Sequence, residues 1–225
     1  MVMPAGDLIE TRFRRLGPAD RGAVARIASS AFHGNAFYRK ALGLDGAGFA
    51  GYWDAFFELS LASSAAAVFG LEHGGQLVSA VAVAFDGFPE RQRAVLFAWK
   101  LLRRIGIGSL LRYLRFVRDY SRVMHRSRPE HRIEACALWF FTDPQAVRTG
   151  LGTRLARQAI EAIRTEGKLL ITGFIDAGDP PLARYYRRLG FSVSPPFPFA
   201  GMKGARIEMR LAPPEAKTDA EDDAA

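Results

Sequence analysis

The most informative run of this chain is Leu138-Trp139-Phe140-Phe141-Thr142-Asp143-Pro144-Gln145-Ala146-Val147-Arg148-Thr149-Gly150-Leu151-Gly152-Thr153-Arg154-Leu155. An apolar, aromatic run ends at Pro144, a short loop follows, and a Gly-x-Gly pair opens a long amphipathic segment. This order predicts a strand, a tight turn and the N-terminus of a helix. The first N–H groups of a helix lack intrahelical acceptors and lie at the positive end of its dipole, and glycines let a large anion approach them. The stretch therefore predicts a site for a phosphate-bearing ligand.

This turn differs from two common nucleotide-binding motifs, because it has neither a third glycine at dinucleotide-binding spacing nor the Gly-Lys-Ser/Thr of a P-loop. A second signature follows as Asp179-Pro180-Pro181-Leu182-Ala183-Arg184-Tyr185-Tyr186-Arg187-Arg188-Leu189-Gly190-Phe191. Together the two blocks resemble the GCN5-related N-acetyltransferase (GNAT) superfamily. The first block is similar to its acyl-CoA motif, and the second to its Asn…Leu-Tyr-x-x-Leu-Gly-Phe motif, with Tyr185 to Phe191 in register.

Patterning predicts an α/β chain. The predicted strands cover 8–16, 65–72, 76–85, 132–142, 169–176, 191–194 and 205–211, and the predicted helices cover 21–32, 52–63, 150–166 and 180–189. Residues 73–75 predict a hairpin turn, whereas 34–51 and 195–203 are expected to be mostly loop. An Arg-rich segment, 94–128, shows helical spacing and is expected to break at Gly106-Ile107-Gly108. The resemblance implies a GNAT-like mixed, splayed central sheet flanked by helices, with this helical insertion before the central strand.

Composition bounds the organisation of the chain. Its 225 residues suit a single acyltransferase domain over 1–212, with an insertion over 94–131, followed by a disordered acidic tail over 213–225. No apolar run is long enough to span a membrane. One cysteine and an N-terminus unlike a secretory signal favour a cytoplasmic protein. The net charge of +8 is compatible with a polyanionic ligand.

The resemblance implies acetyl-CoA, or another acyl-CoA, as cofactor and no metal. It implies that the pantetheine arm pairs with backbone near Phe140, Phe141 and Thr142. It implies that the pyrophosphate lies on the loop and first helical turn, formed by Val147, Arg148, Thr149, Gly150, Leu151, Gly152 and Thr153. Val147 stands where the family usually has Gln or Arg, Arg148 where it usually has Gly, and Asp179 where it has Asn. Asp179 and Tyr186 are further expected cofactor contacts.

The implied reaction is direct attack of a primary amine on the thioester. Tyr186 is the candidate general acid for the leaving thiolate, since a positioned phenol can donate a proton. Glu134 is the candidate general base and is expected on one face of its strand with Cys136, Leu138 and Phe140. His125, His131 and a solvent water chain are open alternatives for the base.

Three functional hypotheses follow. The first is an acyl-CoA-dependent N-acetyltransferase that acts on a small-molecule or protein amine; the second is a catalytically silent acyl-CoA-binding regulator. The third is a binder of nucleic acid or a membrane surface through the Arg-rich insertion, although neither partner is expected. The insertion is otherwise expected to be a solvated helix face, or a cationic lid that suits an anionic or neutral acceptor. A homodimer is compatible with the sequence, and the acceptor, acyl group and oligomeric state stay open.

Overall fold

The structure, a computed structural model, describes residues 10–35, 43–44, 46–86, 88–124, 134–199 and 202–213. Its strands are β1 (Thr11–Arg15), β2 (Ala66–His73), β3 (Gln76–Ala84), β4 (Glu134–Thr142), β5 (Leu170–Asp176), β6 (Ser192–Val193), β7 (Phe197–Phe199) and β8 (Met202–Arg210). Its helices are α1 (Arg21–Phe32), α2 (Gly46–Ala62), α3 (Arg91–Met124), α4 (Leu151–Thr165) and α5 (Pro180–Arg188). The expected alternation of strands and helices is confirmed.

All eight strands form one mixed sheet in the order β1-β2-β3-β4-β5-β8-β6, with β7 paired to β8. Only β4 and β5 run parallel to each other. The predicted hairpin joins β2 to β3, and both turn glycines, Gly74 and Gly75, have positive φ angles of 59° and 75°, as a two-residue hairpin turn requires. The sheet therefore has the mixed topology that the resemblance implied.

The sheet opens in the middle of β4. Strands β4 and β5 pair only from Glu134↔Leu170 to Ala137↔Gly173, so the following part of β4 has no neighbour on that side among the described residues. The register with β3 also shifts, since Ala82 pairs with Trp139 but Val83 pairs with Ala137. Leu138 is thus an extra residue in β4, and such a bulge bends a strand and increases its twist. The predicted splay is confirmed.

The bulge reverses one prediction. Glu134, Cys136 and Leu138 share a face as expected, and all three line the cavity described below. Phe140 instead lies on the opposite face, within the apolar cluster that packs under α4 and α5, while Trp139 belongs to the first cluster. Successive side chains of a regular strand point to opposite faces of the sheet. An inserted residue therefore moves every later side chain to the other face.

The two faces of the sheet carry different layers. The first buried cluster joins α1, α2 and α3 to the sheet and is rich in aromatic side chains, with Trp53 fully buried and 4.9 Å from the Trp139 ring centroid. The second cluster joins α4 and α5 to the other face through aliphatic residues such as Leu155 and Ile207. The open part of β4 lies between these two layers.

Helix α3 is the predicted insertion, and it begins at Arg91. Its helical course is interrupted at Gly106, whose φ of 75° and ψ of 168° are not helical, so the expected break is confirmed. The first half is tied to α2 by ion pairs from Lys100 to Glu58 and from Arg104 to Asp54. The side chains of Phe97, Leu101, Leu110 and Phe116 are buried.

Two local predictions are corrected. Helix α2 begins at Gly46 rather than at residue 52; its glycines obscured the pattern, although at Gly51 a Cβ would approach the side chain of Arg104 on α3 to 3.4 Å. Residues 197–199, expected to be loop, form β7, and Phe199 is buried. On the outer side of α3, Leu111 and Leu114 are 59% and 47% exposed. Of the predicted tail, all but Pro213 lies outside the described residues.

Candidate active site

The turn after β4 forms an open cradle of backbone amides. Pro144–Ala146 make one 3-10 turn, and α4 begins after Gly150. Within the helix, the first bond at this end runs from the Arg154 amide to the Gly150 carbonyl at 3.0 Å. Among the described residues, the amides of Leu151, Gly152 and Thr153 donate to no protein acceptor. They are therefore available to an anion at the positive end of the helix dipole.

The loop backbone keeps the shape of a glycine-rich turn. Gly150 has a φ of 85°, and a Cβ placed there would meet no atom within 4 Å, so the space over this residue is open to a ligand. A Cβ on Gly152 would come within 2.8 Å of the Thr142 hydroxyl oxygen, so this glycine lets α4 pack on the end of β4. Arg148 has a φ of 70°, the left-handed conformation that glycine adopts at least cost.

The open edge of β4 leads from this cradle into the middle of the protein. Residues 139–142 pair with β3 on one side only, so the other side presents strand backbone without a partner strand among the described residues, which can bond an extended ligand. Phe140 and Thr142 face the α4 layer beside this edge, where Phe140 stacks on the Tyr185 ring at a centroid distance of 6.1 Å. The structure thus places the strand edge expected to hold the pantetheine arm directly before the amide cradle expected to hold the pyrophosphate.

Two adjacent tyrosines of α5 have different surroundings. Tyr186 packs against the second apolar cluster, with its ring centroid 5.5 Å from that of Phe191. The Tyr185 hydroxyl is buried and has no hydrogen-bond partner among the described residues. Burial raises the pKa of Tyr185, although Thr153 and the charges of Arg188 and Arg157 act in the opposite direction. The sequence motif pointed to Tyr186 and did not single out the Tyr185 hydroxyl.

Asp179 has a structural contact. It is the N-cap of α5, and its carboxylate accepts a hydrogen bond from the Leu182 amide at 3.2 Å. An aspartate performs this role as well as the asparagine of the family pattern, because both side chains carry an acceptor oxygen. Its expected contact with the cofactor stays a prediction.

Glu134 lies at the beginning of β4 on the face away from α4. Its carboxylate accepts a hydrogen bond from the Thr172 hydroxyl at 2.6 Å. Cys136 is two residues further along, with its sulfur 3.2 Å from the Tyr120 hydroxyl. Burial raises the pKa of the Cys136 thiol and outweighs the opposing hydrogen bonds from Tyr120 and Thr172, so this thiol is neutral at physiological pH. His125 and His131 lie outside the described residues.

A cavity of about 260 Å³ covers this face of β4. Its walls come from α2, α3, the end of β3 and β5, and they include Tyr52, Phe56, Phe97, Tyr113, Phe116 and Phe174. Glu134, Cys136, Leu138 and Trp139 form its β4 side, so the cavity reaches the bulge where β4 and β5 separate. This cavity could not be predicted from the sequence, because the helical period of α3 alone does not show which of its residues face the sheet.

The cradle, the splayed strands and the cavity on the far side define an acetyltransferase architecture. A family model for the acetyltransferase (GNAT) family matches residues 35–191, which is more than half of the chain. The chain therefore belongs to the GNAT acetyltransferase family. No curated protein matches the sequence significantly.

Solved structures show the same fold at low sequence identity. The ribosomal-protein-S18-alanine N-acetyltransferase from Escherichia coli has 14% identity and a TM-score of 0.54, with 95% of this chain and 100% of that chain covered. The PaiA N-acetyltransferase from Thermoplasma acidophilum, in complex with coenzyme A, has 11% identity and a TM-score of 0.55, with 90% and 100% covered. A GNAT family acetyltransferase from Brucella melitensis, in complex with acetyl-CoA, has 14% identity and a TM-score of 0.53, with 91% and 90% covered.

Two features of the described residues concern a metal ion and a membrane as partners. Within the described ranges, His, Cys, Asp and Glu side chains form no cluster of three or more that could hold a metal ion. None of the helices in those ranges combines the length and the apolar character needed to cross a membrane.

Proposed function

We propose that this protein is an acetyl-CoA-dependent N-acetyltransferase that acts on a primary amine. The observation that carries the proposal is the amide cradle that follows directly on the unpaired edge of β4. Both the free amides of Leu151, Gly152 and Thr153 and the open space over Gly150 fit a diphosphate. The two structural neighbours described as complexes with coenzyme A or acetyl-CoA share this fold and support the choice of cofactor.

In this proposal each segment of the cofactor site has one task. The amides from Arg148 to Thr153 hold the pyrophosphate, and the guanidinium of Arg148 adds positive charge beside it. The backbone of Phe140, Phe141 and Thr142 holds the pantetheine arm, and a strand amide near Phe141 polarises the thioester carbonyl. Acetyl-CoA, when bound, supplies an activated acetyl group. The fixed positions of both reactants account for much of the rate acceleration.

Proton transfer requires a base on the cavity side of β4. Glu134 is the proposed base, and its carboxylate lines the cavity, where the Thr172 hydroxyl orients it. The bulge at Leu138 lies four positions further along β4, a distance of about 13 Å in extended strand. Glu134 therefore receives the proton of the alkylammonium through water in the cavity rather than by direct contact with an amine at the bulge.

Proton delivery to the leaving sulfur requires an acid on the α5 side. Tyr186 is the proposed acid, because the motif places it there. Tyr185 is a second candidate on structural grounds, since its hydroxyl is buried without a partner and its ring stacks on Phe140. A phenol that stays protonated at neutral pH suits this role.

Two measurements test the proposal. Calorimetry with coenzyme A is expected to show stoichiometric binding, and chromatographic detection of acetylated product from an amine panel is expected to show turnover. Coenzyme A binding without turnover on any amine would instead identify a silent acyl-CoA-binding protein. Absence of binding at millimolar cofactor would reject both functions.

A further inference from the structure

The chemistry of the cavity over β4 restricts the acceptor. Its wall contains apolar and aromatic residues from two helices and three strands, and among the described residues its carboxylates are Asp86 and Glu134. Asp86 is exposed, whereas Glu134 is half-buried. Within the part of the chain that the structure describes, the lining contains neither lysine nor arginine. An amine with one positive charge and an apolar body fits these walls, whereas an acceptor carboxylate or a second ammonium group would lose hydration without gaining a partner.

The insertion supplies much of this wall. Phe97, Tyr113, Phe116, Val117 and Tyr120 of α3 all line the cavity. The arginines of α3 that were expected to form a cationic lid are absent from the lining, and Lys100 and Arg104 are paired to carboxylates of α2 instead. The described basic residues of α3 therefore do not form the cationic lid that was expected to suit an anionic or neutral acceptor, and Arg126 and Arg128 lie outside the described residues.

The position of the cavity connects it to the reaction. Leu138 and Trp139 lie in its wall and also immediately follow Ala137, the last residue of β4 that pairs with β5. An amine held in the cavity thus has a path to the gap between the strands, where the proposed cofactor site on the other side ends. With a volume of about 260 Å³, the cavity has room for a small organic body rather than for a single water.

We propose, on the basis of the function above, that the acceptor is a small monoamine with an aromatic or branched aliphatic body that fills the cavity under α3. Phenylalkylamines have this size and chemistry. Polyamines, amino acids with a free carboxylate, and extended peptides do not.

The test compares kcat/KM for 2-phenylethylamine, ethanolamine, spermidine and phenylalanine at saturating acetyl-CoA. We expect 2-phenylethylamine to exceed each of the others by about tenfold to a hundredfold, because its phenyl ring gains apolar burial against the cavity walls. Val117→Phe, which fills the cavity from α3, is expected to abolish this preference. Leu114→Phe on the exposed side of the same helix is the matched control and should leave it unchanged.

The outcomes separate the two proposals. Coenzyme A binding by each variant, measured by calorimetry, shows that it is folded. Ethanolamine, spermidine or phenylalanine acetylated as efficiently as 2-phenylethylamine would overturn the acceptor class and leave N-acetyltransferase function intact. Loss of the preference in Leu114→Phe as well as Val117→Phe would overturn the assignment to the cavity. If none of the amines is acetylated, the proposed function itself is overturned.

A separate surface lies on the outer side of α3. The residues Val95, Leu96, Trp99, Leu102, Ile107, Leu111 and Leu114 are 38–66% exposed, and we call this set the α3 stripe. The same helix carries nine basic residues and one acidic residue, Asp119. The guanidinium of Arg103 lies 4.7 Å from the Trp99 ring centroid. Exposed apolar side chains flanked by arginine are typical of helices that lie on anionic membranes.

We propose that the α3 stripe docks on an anionic lipid surface. A second copy of the chain is disfavoured as the occupant, because two-fold pairing through α3 would bring like charges together. Cosedimentation is expected with vesicles of phosphatidylglycerol and phosphatidylcholine but not with phosphatidylcholine alone, and salt should weaken it.

Leu96→Ser/Leu111→Ser removes apolar area without changing charge and should reduce sedimentation at least about fivefold. The fluorescence of Trp99 should shift to the blue in the wild-type protein, since Trp53 and Trp139 are already buried. Absence of binding to anionic vesicles, or equal binding of the double variant, would overturn the proposal. So would light scattering that shows a dimer in the wild type and a monomer in the double variant.

Discussion

Arg148 provides a direct test of the backbone shape of the cofactor loop. Its φ of 70° lies in the left-handed region, where a residue with a Cβ is about 1–2 kcal/mol less stable than one in right-handed helical conformation. Replacement by glycine removes this cost. It also increases the entropy of the unfolded chain, which destabilises the folded state by about 0.4–1 kcal/mol. The net stabilisation expected for glycine over alanine at this position is about 1 kcal/mol.

The comparison that isolates this effect is Arg148→Gly against Arg148→Ala. Both variants lose the same guanidinium, and they differ only in the Cβ. A difference of about 1 kcal/mol corresponds to about 2–4 °C in Tm for a chain of this size. Circular dichroism during heating and urea unfolding at neutral pH measure this difference independently, and the glycine variant is expected to be the more stable.

Coenzyme A calorimetry on the same pair separates charge from conformation. If Arg148 acts through its charge, both variants lose affinity equally; if the turn shape also matters, the alanine variant binds more weakly than the glycine variant. An alanine variant as stable as the glycine variant, or more stable, would refute the left-handed assignment and with it the reasoning that this loop retains a glycine-like turn.

Three further outcomes are expected. Tyr186→Phe should reduce kcat by at least about tenfold and remove the alkaline limb of its pH profile without weakening coenzyme A binding; if Tyr185→Phe has this effect instead, the acid is Tyr185. The hydrogen bonds from Arg14 lower the pKa of Asp20, so Asp20→Asn should destabilise the fold by about 1–3 kcal/mol at pH 7. Native Cys136 should react with iodoacetamide only at a higher pH than a free thiol, because burial raises its pKa.

Each of these expectations has its own check. A lowered carboxyl pKa stabilises the folded state above the unfolded value and loses this effect as pH falls through the folded value. The difference in unfolding free energy between wild type and Asp20→Asn should therefore vanish in acid, and a difference independent of pH would contradict the pairing with Arg14. For Cys136, urea should restore ordinary alkylation; native alkylation at the urea rate would contradict burial. Unchanged kcat in both tyrosine variants would exclude a phenol as the acid.

Much of the proposed cofactor site could be predicted, because the sequence patterns that indicate its strand, turn and helices are local. The strand, the Gly-x-Gly turn, the helix after it and the second motif at 179–191 are each contiguous in sequence, and hydrophobic periodicity together with helix-terminal chemistry reveals such elements. The same holds for the hairpin at Gly74 and Gly75, where the turn residues dictate the backbone conformation.

Tertiary structure decided the acceptor side, for reasons that no local pattern contains. The bulge at Leu138 exists because β4 must pair with β3 while leaving β5, and it moved Phe140 to the other face. The helical period of α3 predicts an amphipathic helix but not which arc meets the sheet, so Leu111 and Leu114 are exposed while Phe97 and Phe116 enclose the cavity. Contiguous signals in the sequence therefore predict the strand, the turn and the helix of the proposed cofactor site, whereas the long-range packing of α2 and α3 on β4 sets the space proposed for the acceptor.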